Sequence, residues 1–353
     1  MFSGYLRQNG TAGIRNSVLV LYTVNCAAFV ARQAGEACAL QGIPVHVTGN
    51  GSCFDHQSVI HRMLRLIAHP NVGSVVLVGH GCEFIQTGPL ADFAHRQGKP
   101  VRVVMDQQLG TRRAIAAAEQ AIWQVWEHSK ATPRLPIPLS YLTVGVVGAP
   151  RDGCARAVEA TVRELLARNA RVVLDTLPEG AELAGGSRAA QKRHRLRRQQ
   201  GALPCGDAGW SAGLEVRGTC QLNTLPPGPG VGYLDALPDR EEETGYPATD
   251  LTQRAADLIC SGAQLVLAAP EQGCVMGPVV APALTMTDRE EIARRFPGEV
   301  DCLLAPAGGD ELGRVLEGIL GGAPSVGERL GIFEGDLPAC EQERPLPPCA
   351  TRG

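Results

Sequence analysis

Two short clusters of reactive side chains stand out between Gly49 and Gln86. The first is Cys53, Asp55 and His56; the second is His80, Cys82 and Glu83. Thiol, imidazole and carboxylate together supply the groups needed for proton transfer, nucleophilic attack or metal ligation. As a nucleophile Cys82 would need a base to take its proton, and His56 is the candidate, since His80 sits too close in sequence. As metal ligands the same atoms work differently. His56, Asp55, Glu83 and the cysteines form a soft donor set that favours iron or zinc over magnesium.

The elements around these clusters must bring them together. Between them Val59, Ile60, Met63, Leu64, Leu66 and Ile67 recur at helical spacing, with His61, Arg62 and Arg65 predicted on the solvent side. His69-Pro70-Asn71 stops that helix. Ser74-Val75-Val76-Leu77-Val78 is a continuous apolar run, as in a strand buried on both faces. The preceding strand is expected at Pro44–Val47. In a parallel sheet the loops after the strands gather at one edge, where ligands bind. Both clusters would then share that edge.

The same alternation continues along the chain. Strands are expected at 17–22, 44–47, 74–78 and 101–105, separated by helices at 26–40, 56–68, 90–97 and 111–128. Ala131–Pro138 carries three prolines and reads as a linker. A second series follows, with strands at 142–147, 170–174, 264–268, 279–286 and 300–304 and helices at 154–168, 251–260, 288–296 and 310–320. The expected fold is α/β: two consecutive open, mainly parallel-sheet units with helices on both faces, plus a long irregular insertion in the second. The expected domains are 1–130, a linker at 131–140, and 141–330 with the insertion at 178–249. A loose tail follows at 331–353.

The insertion is rich in Gly, Pro and charge. Its basic run, Lys192–Arg198, admits a nucleic-acid arm or a solvated face; no aromatic interleaving supports the first. A net charge of -3 over 353 residues likewise gives no reason to expect nucleic acid or an anionic membrane as partner. No apolar run reaches the roughly 20 residues needed to span a bilayer. The N-terminus lacks a signal-like apolar segment, so a cytoplasmic location is expected. Twelve cysteines scattered over so long a chain, with no Cys-x-x-Cys pair, read as buried thiols or ligands rather than disulfides. Cys38, Cys260 and Cys302 lie in apolar periodic segments and are expected to be buried.

Gly148-Ala149-Pro150-Arg151-Asp152-Gly153 has the outer glycine spacing of a phosphate-binding loop. Cys154 and Ala155 then stand where Lys and Ser or Thr are needed to meet phosphate and magnesium. No Gly-x-Gly-x-x-Gly opens a helix after a strand either, so no nucleotide cofactor is expected.

Several motifs in order carry a family resemblance. Gly4-Tyr5-Leu6-Arg7-Gln8-Asn9-Gly10, Gly13-Ile14-Arg15-Asn16, Thr23-Val24-Asn25-Cys26, Asp55-His56, His69-Pro70-Asn71 and Gly79-His80-Gly81-Cys82-Glu83 together resemble the altronate/galactarate dehydratase family over residues 4–112. The resemblance implies a lyase of the hydro-lyase type, dependent on iron or another divalent metal, that acts on a hydroxy-carboxylate such as an aldonate or aldarate. The family also includes a sulfolactate sulfo-lyase. Carried onto this chain, the resemblance makes His56, Glu83 and Asp55 the catalytic candidates. Arg15, Asn16, Asn25 and Gln107 become substrate contacts. His56, Cys53, Cys82 and Glu83 become metal ligands, with Cys26 beside them. It also implies a small β-rich partner subunit or domain, since this chain starts directly at the Gly-Tyr-Leu-Arg segment; a homo-oligomer is the generic expectation.

The second half departs from the pattern. Only Asp152 and Gly153 keep their identity in the family's Cys-Gly-Gly-Ser-Asp-Gly segment. Gly273-Cys274-Val275-Met276-Gly277 stands where the family has Gly-Thr-Pro-Tyr-Gly. Loss of those polar groups leaves an alternative expectation, a catalytically silent scaffold or regulatory subunit.

Overall fold

The computed structural model describes residues 1–53, 56–148, 150, 152–175, 216–221, 228–235, 251–270, 275–305, 310–333 and 337. The chain divides into two compact units, one of residues 4–135 and 333–353, the other of residues 1–3 and 136–332.

In the first of these, β1 (Phe2–Leu6) and β2 (Ala12–Gly13) meet antiparallel through Tyr5↔Gly13 and Leu6↔Ala12. The main sheet has the order β4-β3-β5-β6, from β3 (Ser17–Tyr22), β4 (Val45–Gly49), β5 (Val72–Gly79) and β6 (Val101–Met105). Every pair in it is parallel. All eight residues of β5 are buried, in keeping with its continuous apolar run Val75–Val78. Burying each Val or Leu contributes about 1.5–3 kcal/mol.

Helices α1 (Asn25–Ala39) and α5 (Thr111–Ser129) cover one face and share a core with Val18, Val20, Tyr22, Val76, Val78 and Val104. The buried stripe of α1 is Ala27, Ala28, Val30, Ala31, Ala34, Gly35 and Cys38, and such small residues let the helix lie close to the sheet. Helices α2 (Gln57–Ala68) and α3 (Thr87–Arg96) pack on β5 from the other face. On α2 the buried stripe is Val59, Arg62, Met63, Leu66 and Ile67. Arg62, expected on the solvent side, therefore lies inside, because 59, 62, 63, 66 and 67 form one i, i+3, i+4, i+7 stripe. A short α4 (Asp106–Leu109) leads into α5.

The motif residues nearest the N-terminus tie down the edge of the sheet where the strands begin. Arg7 donates to Pro70 O at 2.7 Å, Asn16 Oδ1 at 2.8 Å and Arg15 O at 2.8 Å. Asn71 Oδ1 accepts from Ile14 N at 2.9 Å, and buried Lys99 donates to His69 O at 2.7 Å. Burial lowers the Arg7 pKa to about 10 and holds Lys99 well below the ordinary lysine value.

The other unit carries a seven-stranded, wholly parallel sheet in the order β10-β11-β9-β8-β12-β13-β14. Its strands are β8 (Thr143–Val147), β9 (Arg171–Leu174), β10 (Val216–Gln221), β11 (Gly230–Asp235), β12 (Leu265–Ala268), β13 (Ala283–Thr287) and β14 (Cys302–Leu303). Helices α6 (Asp152–Ala167), α7 (Leu251–Cys260), α8 (Glu290–Arg295) and α9 (Glu311–Gly321) accompany it. A final α10 (Val326–Leu330) starts with a capping box between Ser325 and Glu328.

Three expectations need correction, and a fourth, the insertion, holds with two strands inside it. The segment read as a linker holds a short strand, β7 (Leu135–Ile137), and one turn of 3-10 helix at Leu139–Tyr141. The insertion at 178–249 contains β10 and β11, whose Val231, Tyr233 and Leu234 are buried in the sheet. The strand expected over 279–286 begins only at Ala283; Val280 has φ 75°, and Pro282, which lacks an N–H, gives the ladder only its carbonyl, to Val266 N at 3.0 Å. Within the expected loose tail, Phe333 packs edge-on against His46 at 4.2 Å and Leu337 N donates to Gly49 O at 2.9 Å. The basic run 192–198 lies outside the described residues. As expected, Cys38, Cys260 and Cys302 are buried. Among the described residues no helix is long and apolar enough to cross a membrane.

Candidate active site

Strand order decides where the first sheet can hold a ligand. From β3 the chain moves outward to β4, then returns to place β5 on the other side of β3. The crevice beyond the ends of β3 and β5 is therefore a topological switch point, where α/β sheets bind ligands. Two loops line it: Thr23-Val24-Asn25-Cys26 and His80-Gly81-Cys82-Glu83.

Glu83 locks these loops together. Its buried carboxylate accepts Thr23 Oγ1 at 2.7 Å, His80 N at 3.1 Å and Gly81 N at 2.6 Å. Gln86 Nε2 donates to its carbonyl. The tight turn requires glycines at two positions. Gly81 has φ +125°, and a Cβ on Gly79 would come within 2.8 Å of Glu83 Oε1. With three donors on its two oxygens, Glu83 is placed as an anchor of the loop.

Beside it, His80 Nδ1 and Asp106 Oδ1 are 2.5 Å apart. Register accounts for the pairing. Gly79 and Met105 are partners at the ends of β5 and β6, so His80 and Asp106 are the next residues on neighbouring strands. The imidazole is partly exposed, 29% by side chain, while Asp106 is buried. With the carboxylate accepting Nδ1–H, the Nε2 lone pair is left to take a proton. Gln107 follows; its Oε1 is the nearest atom to the space a Cβ on Gly81 would fill, at 2.8 Å.

Three thiols reach the same edge. Cys26 opens α1, Cys53 follows β4 and Cys82 follows β5, and all three are exposed. Asn25, at the start of α1, donates its backbone N–H to Ser52 O at 3.4 Å. Partial desolvation pushes the Cys26 thiol pKa up, helped by contact with Cys53 and by the nearby Cys82 and Asp106. His56 caps the start of α2, three residues beyond Cys53; its Nδ1 is buried and meets no hydrogen-bond partner.

The structure thus brings Cys26, Cys53, Cys82, Glu83, Asn25 and Gln107 to one edge, with His56 in the loop after β4. It does not bring Arg15 and Asn16 there. Both precede β3 and lie at the opposite edge, about 20 Å away along six strand residues. Asn16 is buried, accepting from Arg7 and donating to Ser129 O at 2.9 Å. Asp55 lies outside the described residues. The His80–Asp106 pair escaped the sequence reading. The signal that would have found it is adjacency of consecutive parallel strands, which aligns the first residue after β5 with the first after β6.

Metal ligation can be tested on these side chains. The donors gathered here are soft thiols, and the unpartnered buried nitrogen of His56 is the kind of atom a ligand or ion would satisfy. The donor types fit a thiophilic divalent ion. Among the described residues, however, no group of three or more His, Cys, Asp or Glu stands ready-arranged around one point.

In the second sheet, Gly148 N donates to the Asp175 carboxylate at 3.0 and 3.2 Å, and Gly153 N donates to Asp288 Oδ2 at 2.7 Å. Asp175 is in turn paired with Arg254 at 2.7 Å. These loop amides therefore already hold the protein's own carboxylates.

Comparison with known proteins finds similarity through the residues of the first unit. Residues 4–130 match the model of the D-galactarate dehydratase/altronate hydrolase second domain. The chain is 28% identical to altronate dehydratase of Bacillus subtilis (strain 168) over 209 residues, covering 54% of this chain and 42% of that protein. Altronate dehydratase of Escherichia coli (strain K12) is 30% identical over 164 residues, 42% of this chain and 32% of the other. The (2R)-sulfolactate sulfo-lyase subunit beta of Chromohalobacter salexigens is 28% identical over 205 residues, 54% and 50% respectively. The alignments thus span half or less of these relatives. Through residues 4–130 the chain is similar to the second domain of the D-galactarate dehydratase/altronate hydrolase family.

Proposed function

We propose that this chain is a metal-dependent lyase that removes water, or another β substituent, from a hydroxy-carboxylate of the aldonate or aldarate class. The observation that carries the reading is the oriented His80–Asp106 pair, set beside three exposed thiols at the switch point of the family domain. The relatives named above are two altronate dehydratases and a (2R)-sulfolactate sulfo-lyase subunit.

In this reading His80 Nε2 takes the proton alpha to the carboxylate, while Asp106 fixes the ring's tautomer and direction. Glu83 is a positioning residue that holds the His80–Gly81 turn against Thr23. Asn25 and Gln107 flank the crevice and supply polar contacts to substrate hydroxyls. Cys26, Cys53 and Cys82, with His56, would hold a divalent ion, iron being the best match to this donor set. When bound, it supplies Lewis-acid charge for the substrate carboxylate and the departing hydroxyl. One relative is named as a subunit beta; in this reading the present chain would likewise work with a further subunit, a small one, and as a homo-oligomer.

The test is turnover. The chain, loaded with ferrous iron under argon with and without a candidate small subunit, is assayed for 2-keto-3-deoxy acid from altronate, galactarate and related acids. Wild-type protein forms product, and His80→Ala lowers kcat by about 10²–10⁴-fold, as expected for loss of a general base. Undiminished turnover in His80→Ala would remove the dyad from the mechanism. No turnover in any preparation, with the fold intact, would favour the silent-scaffold alternative.

A further inference from the structure

We propose that Cys26 and Cys53 are an oxidative modification site, closing a reversible intrachain disulfide across the ends of β3 and β4. The pairing does not depend on the lyase reading; it follows from strand register. Tyr22 and Gly49 are partners at the ends of these parallel strands. Beyond them the two chains stay together, with Asn50 N donating to Tyr22 O at 3.0 Å and Asn25 N donating to Ser52 O at 3.4 Å. The next residue on each side is a cysteine, Cys26 after Asn25 and Cys53 after Ser52. The Asn25–Ser52 backbone bond keeps the two segments side by side one residue before the thiols, and a disulfide spans roughly 4.4–6.8 Å between Cα atoms.

Access separates this pair from most other described thiols. Cys26 and Cys53 are exposed, whereas Cys38, Cys154, Cys260 and Cys302 are buried. Cys82, also exposed, follows β5 on the other side of β3 and so is the internal control. A hydroperoxide is the oxidant class. One thiolate attacks a peroxide oxygen and becomes a sulfenic acid, with water as the other product. The second thiol then attacks that sulfur, forming the S–S bond and releasing a second water. Two thiols and one hydrogen peroxide give one disulfide and two waters, and a dithiol reductant restores both thiols. The disulfide would withdraw two of the three thiols at the crevice at once.

The experiment maps disulfides in the full chain, prepared under argon, stripped with a chelator and treated with one equivalent of hydrogen peroxide. Free thiols are alkylated before digestion and mass spectrometry. The expected result is a linked peptide pair joining Cys26 to Cys53, two thiols lost per chain, Cys82 still alkylated, and full recovery with dithiothreitol. In Cys53→Ser the link is absent and Cys26 is recovered alkylated or singly oxidised. Linkage of Cys26 or Cys53 to Cys82 instead, or retention of both thiols under conditions that oxidise others in the chain, would overturn the proposal.

Discussion

Replacing Glu83 by Gln tests whether this carboxylate is an anchor or a freely available acid. The side chain accepts Thr23 Oγ1, His80 N and Gly81 N at 2.7, 3.1 and 2.6 Å. Glutamine has one acceptor oxygen where glutamate has two. With that oxygen at the Oε1 position, the new NH₂ group faces the Gly81 N–H. With it at Oε2, the hydroxyl of Thr23 can turn to accept, but the NH₂ group faces the His80 N–H. Either way one charge-assisted bond is lost and two donors confront each other in a buried site. Such a bond contributes about 1.5–3 kcal/mol, and an unpaired buried donor costs about 1–3 kcal/mol. Allowing for relaxation, Glu83→Gln should destabilise this unit by about 2–4 kcal/mol. In urea, with m near about 2 kcal/mol/M, the midpoint falls by about 1–2 M. Trp123 and Trp126 on α5 report the transition by fluorescence. A loss under about 0.5 kcal/mol, the range of an unremarkable surface change, would refute the anchoring argument.

Two further outcomes are expected. His56→Ala should lower the iron or zinc retained after anaerobic purification, measured by plasma emission, with little change in the urea midpoint, because the lost Nδ1 makes no hydrogen bond; unchanged metal content removes His56 from the site. Lys99→Met should flatten the rise of stability with alkaline pH. The folded pKa of Lys99 lies well below 10.5, so in the window between them the unfolded chain binds more protons, and stability rises with pH by up to about 1.4 kcal/mol per unit. Urea unfolding from about pH 8 to about pH 10 should show wild type gaining on the variant; parallel curves would mean that Lys99 is not held neutral by burial.

The parallel sheets were legible because apolar runs such as Ser74–Val78 leave little alternative to a doubly buried strand, and the helices between them carry clear stripes. The failures have local causes. Arg62 shares the i+3 position of its helix stripe, and a polarity-based reading sends it outward. Gly230 and Gly232 dilute the apolar signal of β11, while Pro278, Pro282 and the left-handed Val280 interrupt what looks like one strand over 279–286. The site was half visible. Thiols and Glu83 could be placed on one edge from loop positions alone. The His80–Asp106 pair needed the register of β5 against β6, which no local pattern encodes. Arg15 and Asn16 joined the candidate site through motif likeness, yet they precede β3 and so fall a strand's length from the thiols.

The central claim is that thiols from the ends of β3, β4 and β5 act as one metal-binding group. Its most direct test is metal binding by the full chain under argon, wild type against the Cys26→Ser/Cys53→Ser/Cys82→Ser triple variant, with cobalt(II) as the spectroscopic probe. The account predicts one cobalt per wild-type chain, with a near-ultraviolet thiolate-to-cobalt charge-transfer band that the triple variant lacks while keeping the wild-type circular dichroism. Equal cobalt uptake and an identical band in the folded triple variant, or no uptake by the wild type, would contradict it.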